Sequence, residues 1–238
     1  MDNILIDGDI FAYRAAFSCE NDELDDALEK VDDILTEALS EVLWDYDQDS
    51  NEQFQLFLTG KGNFRYDIAV TAPYKGNREG VEKPRYLADV RKHMVDNWGA
   101  VVSSGEEADD LIGIAACSFD YDCTVISVDK DMMQLPCSHF NPVKHTWTTV
   151  SEFDGMKFFY SQILTGDSAD NIIGLFRVGP VKASKILDGI TSECDAYLRV
   201  LEEYDNDVDR VTENGRLLWL RRSVGDIWEP PVCASDQD

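Results

Sequence analysis

Two rhythms of apolar residues run through this chain. Short unbroken blocks, "ILI" at 4–6, "QFQLFLT" at 53–59, "AVVSS" at 100–104 and "CTVISV" at 123–128, read as buried strands. Between them the apolar positions take the period of a helix. Over 22–44, residues Leu24, Ala27, Leu28, Val31, Ile34, Leu35, Ala38, Leu39, Val42 and Leu43 form one stripe opposite an acidic face, which predicts a long amphipathic helix. A second helix is predicted over 83–99, stopped by Gly99, and a third opens at "GEEADD", 105–110. Strands alternating with helices predict a parallel sheet of the α/β class. From about 151 the pattern turns helical: segments 158–166 and 179–190 flank a loop rich in Gly and Asp, and 193–204 follows. The chain shows no internal repeat, and its end, 229–238, reads as a frayed tail.

Composition narrows the class. The 238 residues, 44% hydrophobic, suffice for one large domain or a domain with an appendage. No apolar run approaches the ~20 residues of a membrane span, and the start lacks the basic region of a secretory signal. The expectation is a cytoplasmic protein without membrane contact, in the host cytoplasm if phage-borne. The six cysteines form no C-x-x-C pair and read as reduced thiols, and three histidines offer little for zinc. The net charge of −26 argues against nucleic acid at long range, because phosphates are repelled. That charge is uneven, however. Residues 60–100 carry 8 basic against 5 acidic side chains, a basic island just before GEEADD.

The acids suggest the chemistry. Asp7 follows the first strand, and Asp129 and Asp131 follow "VISV". Glu107, Asp109 and Asp110 open a helix, and Asp167 and Asp170 lie in "GDSADN". Acids at a helix start are ordinary, since the free N–H groups there favour negative charge. Four within five positions exceed that need, because like charges three or four apart repel. In an open parallel sheet ligands bind beyond the carboxyl ends of the strands, where these eight acids have a common destination. Two unit charges 4 Å apart interact by about 4 kcal/mol at an effective dielectric of 20, so such a nest calls for cations. Oxygen-only ligands select Mg²⁺ or Mn²⁺, and two such ions clamp the attacking and leaving oxygens of a phosphodiester. The basic island adds Arg65, Lys75 and Arg78, interleaved with Tyr66 and Tyr74, a composition suited to phosphates and unstacked bases.

The segments "LIDGD", "FR…YKGNR", "GEEADDLIG", "SVDKDMMQL" and "GDSADNIIGLFRVGPVKASKIL" resemble, in order and rough spacing over about 4–190, the metal-dependent 5′-nucleases. These comprise flap endonucleases, phage 5′→3′ exonucleases and the 5′-nuclease domain of bacterial DNA polymerases. The resemblance implies a PIN-like α/β/α domain over 1–150 with a small helical arch at about 74–99, then a helix–three-turn–helix duplex-binding region and C-terminal helices over 151–228. It implies that Asp7, Glu107, Asp109, Asp110, Asp129, Asp131, Asp167 and Asp170 hold two divalent ions. Lys75 and Arg78 would face the scissile phosphate, with Arg65 grouped among the catalytic cations and Tyr74 among the DNA contacts. Val178, Gly179 and Pro180 resemble the hairpin that grips a duplex backbone around K⁺, with Lys182 and Lys185 on phosphates. The implied substrate is DNA with a 5′ end or 5′ flap, extended to RNA–DNA hybrids, and the implied state is a monomer.

The chain departs from that family at two positions. Relatives carry a further metal-ligand Asp near the end of the second strand, where Thr59 stands; a threonine would hold a metal-bound water. Ile173 replaces the proline of "DNIPG". Asp9 and Glu106 have no matched role. Two other readings compete. Asp7-Gly8-Asp9 mimics the nucleophile pair of haloacid-dehalogenase-like phosphohydrolases, but Phe11 occupies the position that family gives to Thr or Val. An acidic, non-enzymatic DNA-associated protein would need no convergence of acids.

Overall fold

The computed structural model describes residues 3–43 and 54–233. The C-terminal end of the helix expected over 22–44, the first residue of the strand expected over 53–59, and 234–238 of the expected tail lie outside them. The chain divides into two units, Met1–Asn63 with Val81–Val150 and Arg222–Val224, and Phe64–Gly80 with Ser151–Arg221 and Gly225–Asp238.

In the first unit the elements run β1 (Asn3–Asp7), α1 (Gly8–Ser18), α2 (Leu24–Val42), β2 (Phe54–Lys61), α4 (Leu87–Trp98), β3 (Val101–Ser104), α5 (Ala108–Ser118), β4 (Cys123–Ile126), β5 (Ser138–Asn141) and β6 (Thr146–Thr149). The short α3 (Arg65–Ile68) falls in the second unit. The sheet order is β3-β2-β1-β4-β5-β6, parallel except for the β5–β6 hairpin. This is the α/β class the strand–helix alternation predicts.

Why β1 is central follows from its composition. Ile4, Leu5 and Ile6 are all buried, and burying each contributes about 1.5–3 kcal/mol. Ile4 and Ile6 join a core with α1, α2 and α4, whereas Leu5 stands outside it. On β2, Leu56 and Leu58 join that core and Phe57 does not. With a side-chain period of two, both faces of the sheet are covered, as a parallel sheet requires. The register places Asp7 beside Phe57, so the first strand delivers its acid at the carboxyl edge. Gly8 then starts α1 against β2, and a Cβ there would lie 2.7 Å from the Phe57 carbonyl oxygen. The turn from acid to helix therefore demands glycine.

The second unit is helical apart from one small hairpin. It runs α3, a 3-10 turn at Gly76–Arg78, α6 (Glu152–Thr165), the two-residue strands β7 (Gly166–Asp167) and β8 (Ile172–Ile173), α7 (Pro180–Ile186), α8 (Glu193–Glu203) and α9 (Val208–Leu218). Its core gathers Phe159, Tyr160, Ile163, Leu164, Tyr197 and Trp228 among others. One division between the units falls between Val150 and Ser151. The expected arch, 74–99, is instead divided at residue 80, and 64–80 belongs with the helical unit. The expected frayed tail is ordered as far as Cys233, which is buried.

One expectation about cysteines is corrected. Cys194 and Cys233 form a disulfide, with Cα atoms 5.6 Å apart, while Cys19, Cys117, Cys123 and Cys137 are free thiols. Among the described residues no helix is long and apolar enough to cross a membrane.

Candidate active site

The acids of the first unit gather at the carboxyl edge of the sheet. Asp7 ends β1 and is 3% exposed. Burial pushes its carboxyl up to about 7, with Asp9 and Asp129 adding repulsion, while a hydrogen bond donated by the Ser127 hydroxyl at 2.8 Å acts in the opposite direction. Asp109, in the first turn of α5, is raised well above the carboxylate range by burial and then by Asp7, Asp129, Glu107 and Asp110. Six carboxylates thus act on one another, from two strand ends and two helix starts.

GEEADD serves both its ordinary purpose and this one. Glu107 is the N-cap of α5, accepting from the Asp110 N–H, and the Glu107 N–H donates to Asp110 Oδ2 at 3.1 Å, a reciprocal capping box. The same geometry turns Asp110 inward until it is fully buried. Asp129 in turn accepts from the Asp131 N–H at 2.8 Å, capping a 3-10 turn at Lys130–Gln134. Lys130 stands 3.9 Å from Asp131.

Ser127 is a site residue that the sequence reading missed. Besides donating to Asp7, its hydroxyl accepts the Asp129 N–H at 2.9 Å, so one small polar side chain fixes acids from two strands. Thr59, expected to hold a metal-bound water, has a backbone-directed task. Its hydroxyl accepts the Ala108 N–H at 3.0 Å at the start of α5, and its N–H donates to Asp9 at 3.0 Å. Arg91 of α4 bridges the other Asp9 oxygen and the Thr59 carbonyl. Asp9 is thereby committed to a cation.

In the second unit, Asp167 is buried and accepts the Ala169 N–H at 2.7 Å. Asp170 is the hub. It accepts from the Tyr74 hydroxyl at 2.8 Å and pairs with Arg78 at 2.7 Å and Lys75 at 3.6 Å. Its carbonyl takes the Lys75 N–H at 2.8 Å, and Asn77 donates to the Ser168 carbonyl at 2.7 Å. Lys75 itself adopts φ 53°, a left-handed conformation rare outside glycine. The YKGNR segment is therefore laced to the GDSADN loop.

Three candidates stand differently from expectation. Arg65 is 2% exposed, and its guanidinium donates to the carbonyls of Leu217 at 2.8 Å and Trp219 at 2.7 Å. It anchors α3 to the end of α9 rather than presenting charge to a phosphate. Tyr74 is buried edge-on to Tyr66, with no open face for a base. Val178 is buried too, and it anchors its turn from below. Gly179 caps α7 with Pro180 at the first helical position, and Lys182 and Lys185 are exposed on that helix.

The donor set is oxygen only and rich in carboxylates, which fits hard divalent ions. Among the described residues no group of three or more Asp, Glu, His or Cys side chains stands ready in coordinating geometry. The acids are gathered, with several turned to backbone caps.

Comparison with known proteins gives the class. The family model for the 5′–3′ exonuclease N-terminal resolvase-like domain matches residues 2–160. This chain belongs to that family. A curated 5′–3′ exonuclease of Buchnera aphidicola subsp. Schizaphis graminum is 26% identical over 200 residues, covering 74% of this chain and 66% of the relative. DNA polymerase I of Lactococcus lactis subsp. lactis is 26% identical over 229 residues, 83% of this chain but 25% of the polymerase. The chain thus spans just under two thirds of the first relative and a quarter of the second. A bacteriophage T5 flap endonuclease, solved as a pseudo-enzyme-product complex with DNA and metal ions, superposes with a TM-score of 0.66 at 18% identity. That match covers 92% of this chain and 89% of the phage protein, and it shows a shared fold.

Proposed function

We propose that the chain is a divalent-metal-dependent 5′-nuclease that hydrolyses phosphodiesters of DNA carrying a 5′ end or a 5′ flap. The observation that carries this reading is the gathering of Asp7, Glu107, Asp109, Asp110 and Asp129 at the carboxyl edge of the sheet, where burial and mutual repulsion both raise the Asp109 carboxyl. A fold gains nothing from that repulsion unless a cation relieves it. Family membership supports the reading; a phosphohydrolase or a non-enzymatic binder would leave the acid nest and the GDSADN segment unexplained.

In the first unit the residues that would hold Mg²⁺ or Mn²⁺ are Asp7, Glu107, Asp109, Asp110, Asp129 and Asp131; in the helical unit Asp167 and Asp170 would serve as ligands. The ions would supply a hydroxide nucleophile at neutral pH and charge stabilisation for the leaving oxygen. Ser127 orients Asp7 and the turn that bears Asp129. Arg91 keeps Asp9 out of the ligand set. Lys75 and Arg78, now held by Asp170, would exchange that carboxylate for the scissile phosphate, stabilising the charge that develops there. Lys182 and Lys185 would bind duplex phosphates beside the 178–180 turn, where K⁺ would sit. An RNA–DNA hybrid as substrate and a monomeric state complete the proposal.

The division of labour is testable on a 5′-labelled flap substrate. Lys75→Ala is expected to cut turnover with duplex affinity nearly intact, whereas Lys182→Ala weakens binding and lessens its salt dependence by about one phosphate contact. Equal effects of both substitutions on both parameters would remove the assignment.

A further inference from the structure

Two segments of the proposed site hang from one helix. The stretch between α3 and the 3-10 turn that follows Lys75, residues 69–75, contains no helix or strand. Its backbone is fixed instead by Glu213, on α9. Glu213 Oε1 accepts the N–H of Val70 at 2.8 Å and of Thr71 at 2.7 Å, and Oε2 accepts the Thr71 hydroxyl at 2.6 Å. A single carboxylate thereby collects three donors from two consecutive residues, close before Lys75 in the chain. Hydrogen bonds to an ionised acceptor are roughly twice as strong as neutral ones. Burial opposes the charge of Glu213, yet these donors and Arg210 hold its carboxyl below the usual range, so it is ionised at neutral pH.

Arg210, one turn earlier on α9, carries the second connection. Its guanidinium donates to Glu213 Oε2 and to Asn214 Oδ1, both at 2.9 Å, and also to the Ile173 carbonyl. The Asn214 amide donates to that same carbonyl at 3.0 Å. Ile173 belongs to β8, which pairs with Gly166 and Asp167 of β7. Helix α9 therefore holds the hairpin that carries Asp167 as well as the segment that carries Lys75. Its own place is secured by packing, since Val211, Leu217 and Leu218 are buried in the core of the unit.

The two connections bear on one step of the proposed reaction. Lys75 and Arg78 pair with Asp170, which they would exchange for the scissile phosphate. When the exchange breaks those ion pairs, the ties of Pro73, Lys75 and Asn77 still run to the GDSADN loop. That loop itself hangs from α9 through Ile173. Glu213 on one side and Arg210 on the other then set where the Lys75 ammonium lies. Misplacing a reacting or stabilising group by about 1 Å can cost about a hundredfold in rate.

We propose that Glu213 is a positioning residue for cleavage: it holds the Val70–Thr71 backbone so that Lys75 meets the scissile phosphate, and Arg210 couples that hold to the Asp167 hairpin. The inference rests on the nuclease reading and deepens it. Arg65 also ties this segment to α9, but it does so at α3, and Glu213 still stands between that point and Lys75 when Arg65 is lost.

A double-substitution cycle on a 5′-labelled flap substrate tests it, with rates counted per folded molecule. Glu213→Ala is expected to lower kcat about 10–100-fold with KM and duplex affinity nearly unchanged, the same signature as Lys75→Ala. In the Lys75→Ala background the same substitution should cost less than about twofold, because residues that act as a unit are not additive. Glu213→Gln keeps an acceptor for both N–H groups and should return kcat to within about threefold of wild type. Hydrogen exchange reads the tether without any cleavage: the Val70 and Thr71 amides should exchange faster in Glu213→Ala and stay protected in Glu213→Gln. An unchanged kcat in Glu213→Ala, or a loss by the same factor with and without Lys75, overturns the proposal while wild-type cleavage leaves the nuclease standing. A Glu213→Gln protein that keeps its tether but not its turnover overturns it too. Wild-type protein that fails to cleave in Mg²⁺ removes the nuclease reading, and the positioning role with it, even where exchange shows the tether.

Discussion

Asp110 separates the two purposes of the acid run, because one substitution keeps its cap and removes its charge. In Asp110→Asn the amide oxygen still accepts the Glu107 N–H that Oδ2 now takes at 3.1 Å, and the Asp110 N–H bond to Glu107 is untouched. What disappears is a fully buried unit charge. Neighbours three apart on a helix are about 5–6 Å apart, and at an effective dielectric of 20 two carboxylates there repel by about 3 kcal/mol. Against that relief stands a lost charge–dipole interaction of about 0.3–2 kcal/mol at the helix start. The net is a gain on the order of 1–2 kcal/mol without metal, which raises the melting temperature by about 2–4 °C per kcal/mol in a chain of this size. Asp110→Ala removes the same charge but leaves the buried Glu107 N–H without its acceptor. It should melt below Asp110→Asn by about 1–3 kcal/mol. Cleavage should fall by several orders of magnitude in both. The assay pairs melts in EDTA with digestion of a 5′-labelled DNA, and Glu106→Gln, outside the matched positions, should cost little. An Asp110→Asn protein that melts no higher than Asp110→Ala, or cleaves like wild type, refutes the reasoning.

Two further outcomes follow from the geometry. Asp7 titrates near 7 when folded and near 3.9 when unfolded, so its native proton stabilises the metal-free protein fully below pH 4, and this contribution is lost as pH rises through 7. Metal must expel that proton, so Mg²⁺ affinity followed by melting should fall about tenfold from pH 8 to pH 6, and an affinity equal at those two pH values would contradict the burial of Asp7. Arg65→Ala deprives the Leu217 and Trp219 carbonyls of their guanidinium donor and should cost about 2–5 kcal/mol by denaturant melts, with turnover per folded molecule preserved; a stable but inactive protein would return Arg65 to catalysis.

How much of this was legible in the sequence varies with the range of the interaction. β1, β2, β4 and α2 were readable because one local pattern, an apolar block or a helical stripe, determines each. α1 was not, since Phe11, Ala12, Ala15 and Ala16 are buried in the unit's core and leave no clean polar alternation. The β5–β6 hairpin has four-residue strands, too short for a period to show. The bounds of α9 were not readable because Asn214 and Gly215 are poor helix formers, yet the glycine is there for packing: a Cβ would meet the Trp228 ring at 2.2 Å. The acids could be found because their crowding is local. Their supports could not, because the Arg91–Asp9 pair and the Ser127–Asp7 bond join residues 82 and 120 positions apart. A buried arginine on carbonyls and an arginine on phosphate look alike in sequence, so the Arg65 bonds to Leu217 and Trp219 carried no signal. The Cys194–Cys233 bridge, 39 residues apart with no motif, carried no signal either.

The central claim is that the gathered carboxylates exist to hold divalent metal for cleavage at a 5′ end. Its most direct test is digestion of a 5′-labelled flap DNA by the wild-type protein as Mg²⁺ is titrated against EDTA, with melting followed in the same samples. The account predicts cleavage that requires Mg²⁺ and a stabilisation of about 2.7 kcal/mol for each ion at 100 times its dissociation constant. Cleavage that persists in EDTA, or a melting temperature indifferent to Mg²⁺ with no cleavage at any concentration, would contradict it.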